Sequence, residues 1–158
     1  MISLCFVCLG NICRSPTAEG VMLGLLTERD LGEHIRVDSA GTSSYHTDAP
    51  ADSRSLEAAH RRGIVLPSRS RQFQAEDFDK FDYVLACDTK NLEDLGALAS
   101  REQKEKLHLF LDFDPSSPEG TSVPDPHYGG EQGFEAVLDL CQSACGELLE
   151  YLVDKHGL

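Results

Sequence analysis

Ile2-Ser3-Leu4-Cys5-Phe6-Val7-Cys8-Leu9-Gly10-Asn11-Ile12-Cys13-Arg14-Ser15-Pro16 is the stretch whose reading decides the fold. Residues 2–8 form a short apolar run rich in strand formers, and Gly10-Asn11 is a strong loop signal. Ser15-Pro16 reads as an N-cap followed by proline at the first helical position. Ala18, Val21, Met22, Leu25 and Leu26 then recur at helical spacing. The stretch predicts a buried strand, a tight loop and a helix.

The same alternation repeats downstream. A strand is expected over 35–40, then a loop over 41–50, then a helix capped by Asp52 that runs through Ser55, Leu56, Ala59 and His60 to Gly63. Further strands are expected over 81–87 and 107–111, with a helix over 89–98 between them. A proline-rich loop over 115–130 is longer than a connector needs to be, which favours a functional role. The last helix, over 132–155, places Phe134, Val137, Leu138, Cys141, Cys145, Leu148 and Leu152 on one face. Strands alternating with helices predict a single α/β domain over 1–158, with a four-stranded parallel sheet and helices on both faces.

Composition narrows the function classes. The 158 residues carry 14 Lys and Arg against 27 Asp and Glu, a net charge of −13. A nucleic-acid binder needs a cationic surface to displace counterions, so nucleic acid is not an expected partner. There is no apolar run of about 18 residues and no basic leader, so a soluble, cytoplasmic protein with no membrane association is expected. The six cysteines form no dense disulfide framework and are expected to be mostly free thiols. The six histidines lack zinc-ligand spacing, so neither a structural metal nor a cofactor is expected.

The chemistry sits in the first loop. In an open α/β sheet, ligands bind beyond the carboxyl ends of the strands, where Cys8 to Ser15 would lie. Backbone N–H groups of a loop opening into a helix converge on one point and suit a tetrahedral anion, and Arg14 adds a two-pronged donor for its oxygens. Cys8 would then lie beneath the anion as a thiolate, a nucleophile favoured by the same donors. Ser15 can donate a hydrogen bond to that sulfur and make it a better leaving group. A lone Cys-x5-Arg is a weak pattern; its place between a strand and a Ser-Pro helix start makes it specific. A Walker loop and a dinucleotide fingerprint are both excluded, because Gly-Lys-Ser/Thr is absent and only Gly10 is present.

On these residues the chain resembles the low-molecular-weight protein tyrosine phosphatases, whose signature matches Val7 to Pro16. The resemblance extends along the chain through Ser39-Ala40-Gly41-Thr42, Asp52-x-Arg54, Arg71-Gln72, Phe81-Asp82-Tyr83, Cys87-Asp88 and Asp125-Pro126-His127-Tyr128-Gly129. It implies a flavodoxin-like three-layer α/β/α sandwich and a metal-free phosphatase acting on tyrosine-phosphorylated proteins, as a monomer or a weak dimer. Cys8 and Arg14 would be catalytic, with Asp125 as general acid. The phosphate would be held by Leu9, Gly10, Asn11, Ile12, Cys13 and Ser15, with Asn11 bracing the loop. Tyr45, His127 and Tyr128 would wall the pocket, and Cys13 would trap oxidised Cys8 as a reversible disulfide. Two departures from the family stand out: Ser68 where relatives carry a histidine, and His127 where they often carry a second tyrosine.

Three alternatives remain open on the sequence. Arsenate reduction on the same loop would draw on Cys87, although no further cysteine lies between 88 and 140. Phosphoarginine hydrolysis is disfavoured by Ile12, since related enzymes carry a small hydroxyl residue there. A non-catalytic phosphate-binding module or signalling receiver would be expected to lack the nucleophile, the arginine or the acid.

Overall fold

The computed structural model describes residues 1–158, apart from the side chain of Tyr128. Four strands, β1 (Ile2–Cys8), β2 (Ile35–Gly41), β3 (Tyr83–Ala86) and β4 (Leu107–Leu109), alternate with helices α1 (Arg14–Glu28), α2 (Ser53–His60), α3 (Thr89–Leu98) and α4 (Gly130–His156). All strand pairings are parallel, and the strand order is β2-β1-β3-β4. The expected four-stranded parallel α/β sandwich is therefore the fold observed.

Strand β1 is central, and its side chains alternate between two cores. Leu4, Phe6 and Cys8 face a large core formed with α1 and α4, whereas Cys5 and Val7 face a smaller one with Phe73, Phe78, Phe81 and Leu95. Burial on both faces explains why β1 reads as a continuous apolar run rather than an alternating one. The apolar stripe expected on α4 is buried along its length, and Ala144 and Leu149 join it. Each large side chain of this kind contributes about 1.5–3 kcal/mol on burial. Among the described residues, no helix is long and apolar enough to cross a membrane.

The chain leaves β1 for β2 on one side and later returns to place β3 on the other. The carboxyl end of β1 is thus a topological switch point, where the crevice of a doubly wound sheet opens.

Several boundaries differ from the sequence reading. Helix α1 starts at Arg14 with Cys13 at the N-cap and no side-chain cap, so Ser15 is not the cap and Pro16 is the third helical residue. Proline is tolerated there because the first-turn N–H groups have no intrahelical partner. Strand β4 stops at Leu109, since Phe110–Phe113 coil into a 3-10 turn that drives Phe110 edge-on against Phe6, with centroids 5.0 Å apart. Asp52 does cap helix α2, its carboxylate accepting from the Arg54 N–H at 2.8 Å, but the helix ends at His60 rather than reaching Gly63.

Candidate active site

The loop after β1 is held from outside by its carbonyl groups. The Cys8 carbonyl accepts from the Thr42 N–H, Leu9 from Ser43, Ile12 from Asp52 and Cys13 from Thr17, all at 2.8–3.2 Å. The Gly10 carbonyl accepts from the Ser70 hydroxyl at 2.9 Å. In a planar trans peptide the N–H points opposite to the C=O, so anchoring these carbonyls outward turns the following N–H groups inward. The Asn11 N–H shows the result, lying 3.3 Å from the Cys8 sulfur. Gly41 is required where β2 passes behind this loop, because a Cβ there would lie 2.7 Å from the Leu9 carbonyl oxygen.

Asn11 takes the left-handed conformation, with φ 56°, which costs a non-glycine residue free energy unless its surroundings fix it. Its side chain supplies that fixation. The amide donates to Ser15 Oγ at 2.8 Å and to Ser39 Oγ at 3.0 Å, and its oxygen accepts from the Arg71 N–H at 3.1 Å. Since Ser15 Oγ accepts from Asn11, its own proton is available to Cys8 Sγ, 3.0 Å away. The alternative acceptor, the Ala40 carbonyl, is farther, at 3.3 Å. Asn11, the bracing residue expected from the sequence, thus also orients the hydroxyl that faces the sulfur.

Beyond Asn11 the network ends in a buried acid. Ser39 donates to Glu19 Oε1 at 2.7 Å and also lies 3.4 Å from the Ser68 hydroxyl. Ser68 therefore joins the network as a neutral group. Burial pushes the Glu19 carboxyl above its ordinary value, an effect partly offset by its hydrogen bonds to Ser39 and Ser68. A carboxyl raised in the folded state favours the protonated form, so its contribution to stability is present below the unfolded value and is lost as pH rises through the folded one. Glu19→Gln is accordingly expected to gain stability relative to the parent as pH rises from about 4 toward neutrality. Urea melts at the two ends of that range would check this, and a constant difference between the proteins would contradict it.

Arg14 is buried and aimed by two partners. One guanidinium nitrogen donates to Asp88 Oδ2 at 2.6 Å and to the Val123 carbonyl at 3.1 Å. Asp88 is itself fixed as the N-cap of α3 by a capping box with Asn91. Burial alone would disfavour the charged guanidinium, but the neighbouring Cys87, Cys8 and Asp88 hold its pKa above the ordinary arginine value. Val123 in turn donates its N–H to the Cys87 carbonyl at 2.7 Å, which ties the long proline-rich loop to the end of β3.

A cleft of about 200 Å³ opens over this loop, lined by Cys8, Leu9, Gly10, Ile12, Cys13, Arg14, Tyr45, His46, Asp125 and His127. Sequence reasoning named all of these except His46. Asn11 and Ser15 lie behind the floor, and the Tyr128 side chain, expected as a wall, is outside the described residues. Asp125 is exposed and lines the cleft, and its carboxylate accepts from the His127 N–H at 3.0 Å, which fixes it at the start of the turn. The Cys13 thiol is pushed up to about 11, first by burial and further by Asp52, Cys8 and Asp125, against a hydrogen bond to Ser55. Cys5, Cys141 and Cys145, expected in the core, are buried there. Among the described residues, no three His, Cys, Asp or Glu side chains are grouped so as to hold a metal ion.

Sequence reasoning gave no site role to two further contributors. His46 packs over Gly10, where an added Cβ would meet its ring at 3.0 Å; a histidine following Tyr45 in an exposed loop gives no local signal of this. Arg54 pairs with Asp52 at 3.0 Å, stacks over Phe134 at 4.7 Å and lies 3.5 Å from His127 Nδ1, joining the start of α2 to the acid loop.

A buried sulfur within an inward-facing N–H cradle, a clamped guanidinium and a carboxylate on the rim together form a site for a tetrahedral oxyanion. Comparisons with known proteins agree. The family model described as low molecular weight phosphotyrosine protein phosphatase matches residues 3–157. The human low molecular weight phosphotyrosine protein phosphatase is 41% identical over 150 residues, 94% of each chain. A crystal structure of a protein tyrosine phosphatase from Entamoeba histolytica, with Hepes in its active site, superposes with a TM-score of 0.93 at 40% identity over 100% of both chains. A Drosophila arginine phosphatase shares the fold at a TM-score of 0.87 and 30% identity, over 96% of this chain and 97% of its own. With residues 3–157 matched by the family model and 94% of its length by the human relative, this chain belongs to the low molecular weight phosphotyrosine protein phosphatase family.

Proposed function

We propose that the protein hydrolyses phosphotyrosine in protein substrates, and small aryl phosphates, through a phosphocysteine at Cys8. The observation that carries this reading is the Cys8 sulfur, 3.0 Å from Ser15 Oγ and 3.3 Å from the Asn11 N–H, on the floor of the cleft that Arg14 and Asp125 also line. The phosphoryl oxygens would take the inward N–H groups and the Arg14 guanidinium, leaving phosphorus above the sulfur. Attack forms the S–P bond as the P–O bond to the tyrosine breaks, and Asp125 supplies the proton that the leaving oxygen needs. The same carboxylate then removes a proton from the water that attacks phosphorus, and the Ser15 hydroxyl stabilises the thiolate released.

Tyr45 and His127 line the mouth, where flat faces suit an aryl ring, and Ile12 offers an apolar contact to it. The net charge of −13 opposes an anionic substrate at long range. Screening over about 8 Å in physiological salt leaves the local donors dominant at contact. Cys13, on the same loop, is the thiol we assign to capture oxidised Cys8 as a reversible disulfide.

Steady-state hydrolysis of phosphotyrosine, phosphoserine and phosphoarginine peptides, with a chelator present, tests the assignment. Selective turnover of phosphotyrosine is expected. Preference for phosphoarginine, or arsenate-dependent thiol consumption without phosphatase activity, would overturn it. Asp125→Asn is expected to lose roughly 10²–10⁴ in kcat on a substrate with a poor leaving group, with little change in phosphate affinity. Full activity of that variant on such a substrate would remove Asp125 from the role of acid.

A further inference from the structure

We propose that Cys87 is a second thiol partner of Cys8, and that oxidation at Cys8 is captured as a disulfide between neighbouring strands of the sheet. Ladder register is the basis. β1 and β3 are parallel with Val7 opposite Ala86, and the Cys87 N–H donates to the Val7 carbonyl at 2.9 Å. That bond closes the last pair of the ladder, and Cys8 and Cys87 are the next residue of each strand beyond it. Residues opposed in a ladder share a face of the sheet, and Cys8 and Cys87 lie in one core cluster, as do Phe6 and Leu85 two residues earlier. Adjacent strands lie about 4.8 Å apart, inside the Cα separation of about 4.4–6.8 Å that a disulfide spans. Cys5 is set aside because it faces the opposite core.

The surroundings decide how such a thiol behaves. Both thiols are buried, but Cys8 lines the cleft and Cys87 does not, so oxidant entering the cleft meets Cys8 first. Burial pushes its pKa well above the ordinary thiol value, so it stays protonated and does not compete for the phosphoryl group. The co-reactant is hydrogen peroxide: the Cys8 thiolate attacks one peroxide oxygen, the S–O bond forms as the O–O bond breaks, and hydroxide leaves, giving a sulfenic acid. The Cys87 sulfur then attacks the Cys8 sulfur; the S–S bond forms, the S–O bond breaks, and the hydroxide leaves with the Cys87 proton as water. A dithiol reductant returns both thiols. This inference rests on Cys8 being the reactive thiol of the proposed function, and its test reads a linkage rather than turnover.

Trypsin separates the two cysteines, because Cys8 falls in the peptide 1–14 and Cys87 in 81–90. Mass mapping of the full-length protein after limited hydrogen peroxide and thiol blocking is expected to show these peptides joined. The joined species should be absent from Cys8→Ser and should become the main product in Cys13→Ser. Activity recovered by dithiothreitol after oxidation should fall about ten-fold further in Cys13→Ser/Cys87→Ala than in Cys13→Ser. Absence of the joined peptides from both wild type and Cys13→Ser, with Cys8 found as sulfinic acid, would overturn the pairing alone. Cys8 recovered unmodified after peroxide would overturn the reading of a reactive Cys8 as well.

Discussion

Cys8→Ser is expected to reduce hydrolysis of a phosphotyrosine peptide by on the order of 10⁴-fold or more while leaving phosphate affinity within a few-fold of the parent. The substitution exchanges one atom at the floor of the cleft. A serine hydroxyl is a far weaker nucleophile than a thiolate, so the first half-reaction fails. The anion cradle does not depend on the sulfur, because its N–H groups are set by carbonyls anchored to Thr42, Ser43, Ser70, Asp52 and Thr17. Serine also keeps a hydroxyl near Ser15 and Asn11, so the loop should retain its shape. Parallel kinetics and inhibition by inorganic phosphate would separate the two effects. Substantial residual turnover by Cys8→Ser would show that another group attacks phosphorus.

Arg14→Ala is expected to lose roughly 10³–10⁵ in kcat/KM, with inhibition by phosphate weakened in the same variant. Two effects add. The guanidinium that would hold two equatorial oxygens is gone, and Asp88, paired with it at 2.6 Å, is left as an unopposed negative charge close to the site. Removing that carboxylate as well should restore part of the loss, so Arg14→Ala/Asp88→Ala should bind phosphate better than Arg14→Ala. Arg14→Lys should recover little, because an ammonium cannot present the planar fork that serves Asp88, Val123 and the oxyanion together. Equal phosphate inhibition of Arg14→Ala and wild type would contradict this role.

Local features were legible in the sequence. The apolar run 2–8, Gly10-Asn11 and the periodic residues from Ala18 onward each report on a few neighbours, and they located β1, the loop and α1. The helix start was misread because Ser15 and Pro16 satisfy a local rule while a tertiary contact decides the outcome: the Ser15 hydroxyl serves Cys8 and Asn11 instead of capping. Strand β4 was shortened for a similar reason, since Phe110 turns toward Phe6 across the sheet. Strand order and register lay beyond a sequence reading. They bring Cys87 into the same core as Cys8 and Asp88 onto Arg14, and no periodicity encodes contacts between residues so far apart in the chain. His46 and Arg54 were silent for the same reason, as loop and helix-start residues whose partners are fixed only when α2 and the acid loop close on the cleft.

The most direct test of the account is to trap the intermediate. Asp125→Asn, mixed with an aryl phosphate whose leaving group needs no proton and acid-quenched within milliseconds, should form the phosphocysteine quickly but hydrolyse it slowly, and so carry one phosphoryl group on peptide 1–14, at Cys8, whereas Cys8→Ser should carry none. Release of phosphate during turnover with no phosphoryl group on Cys8 at any quench time, or with phosphate attached to another residue, would contradict the account.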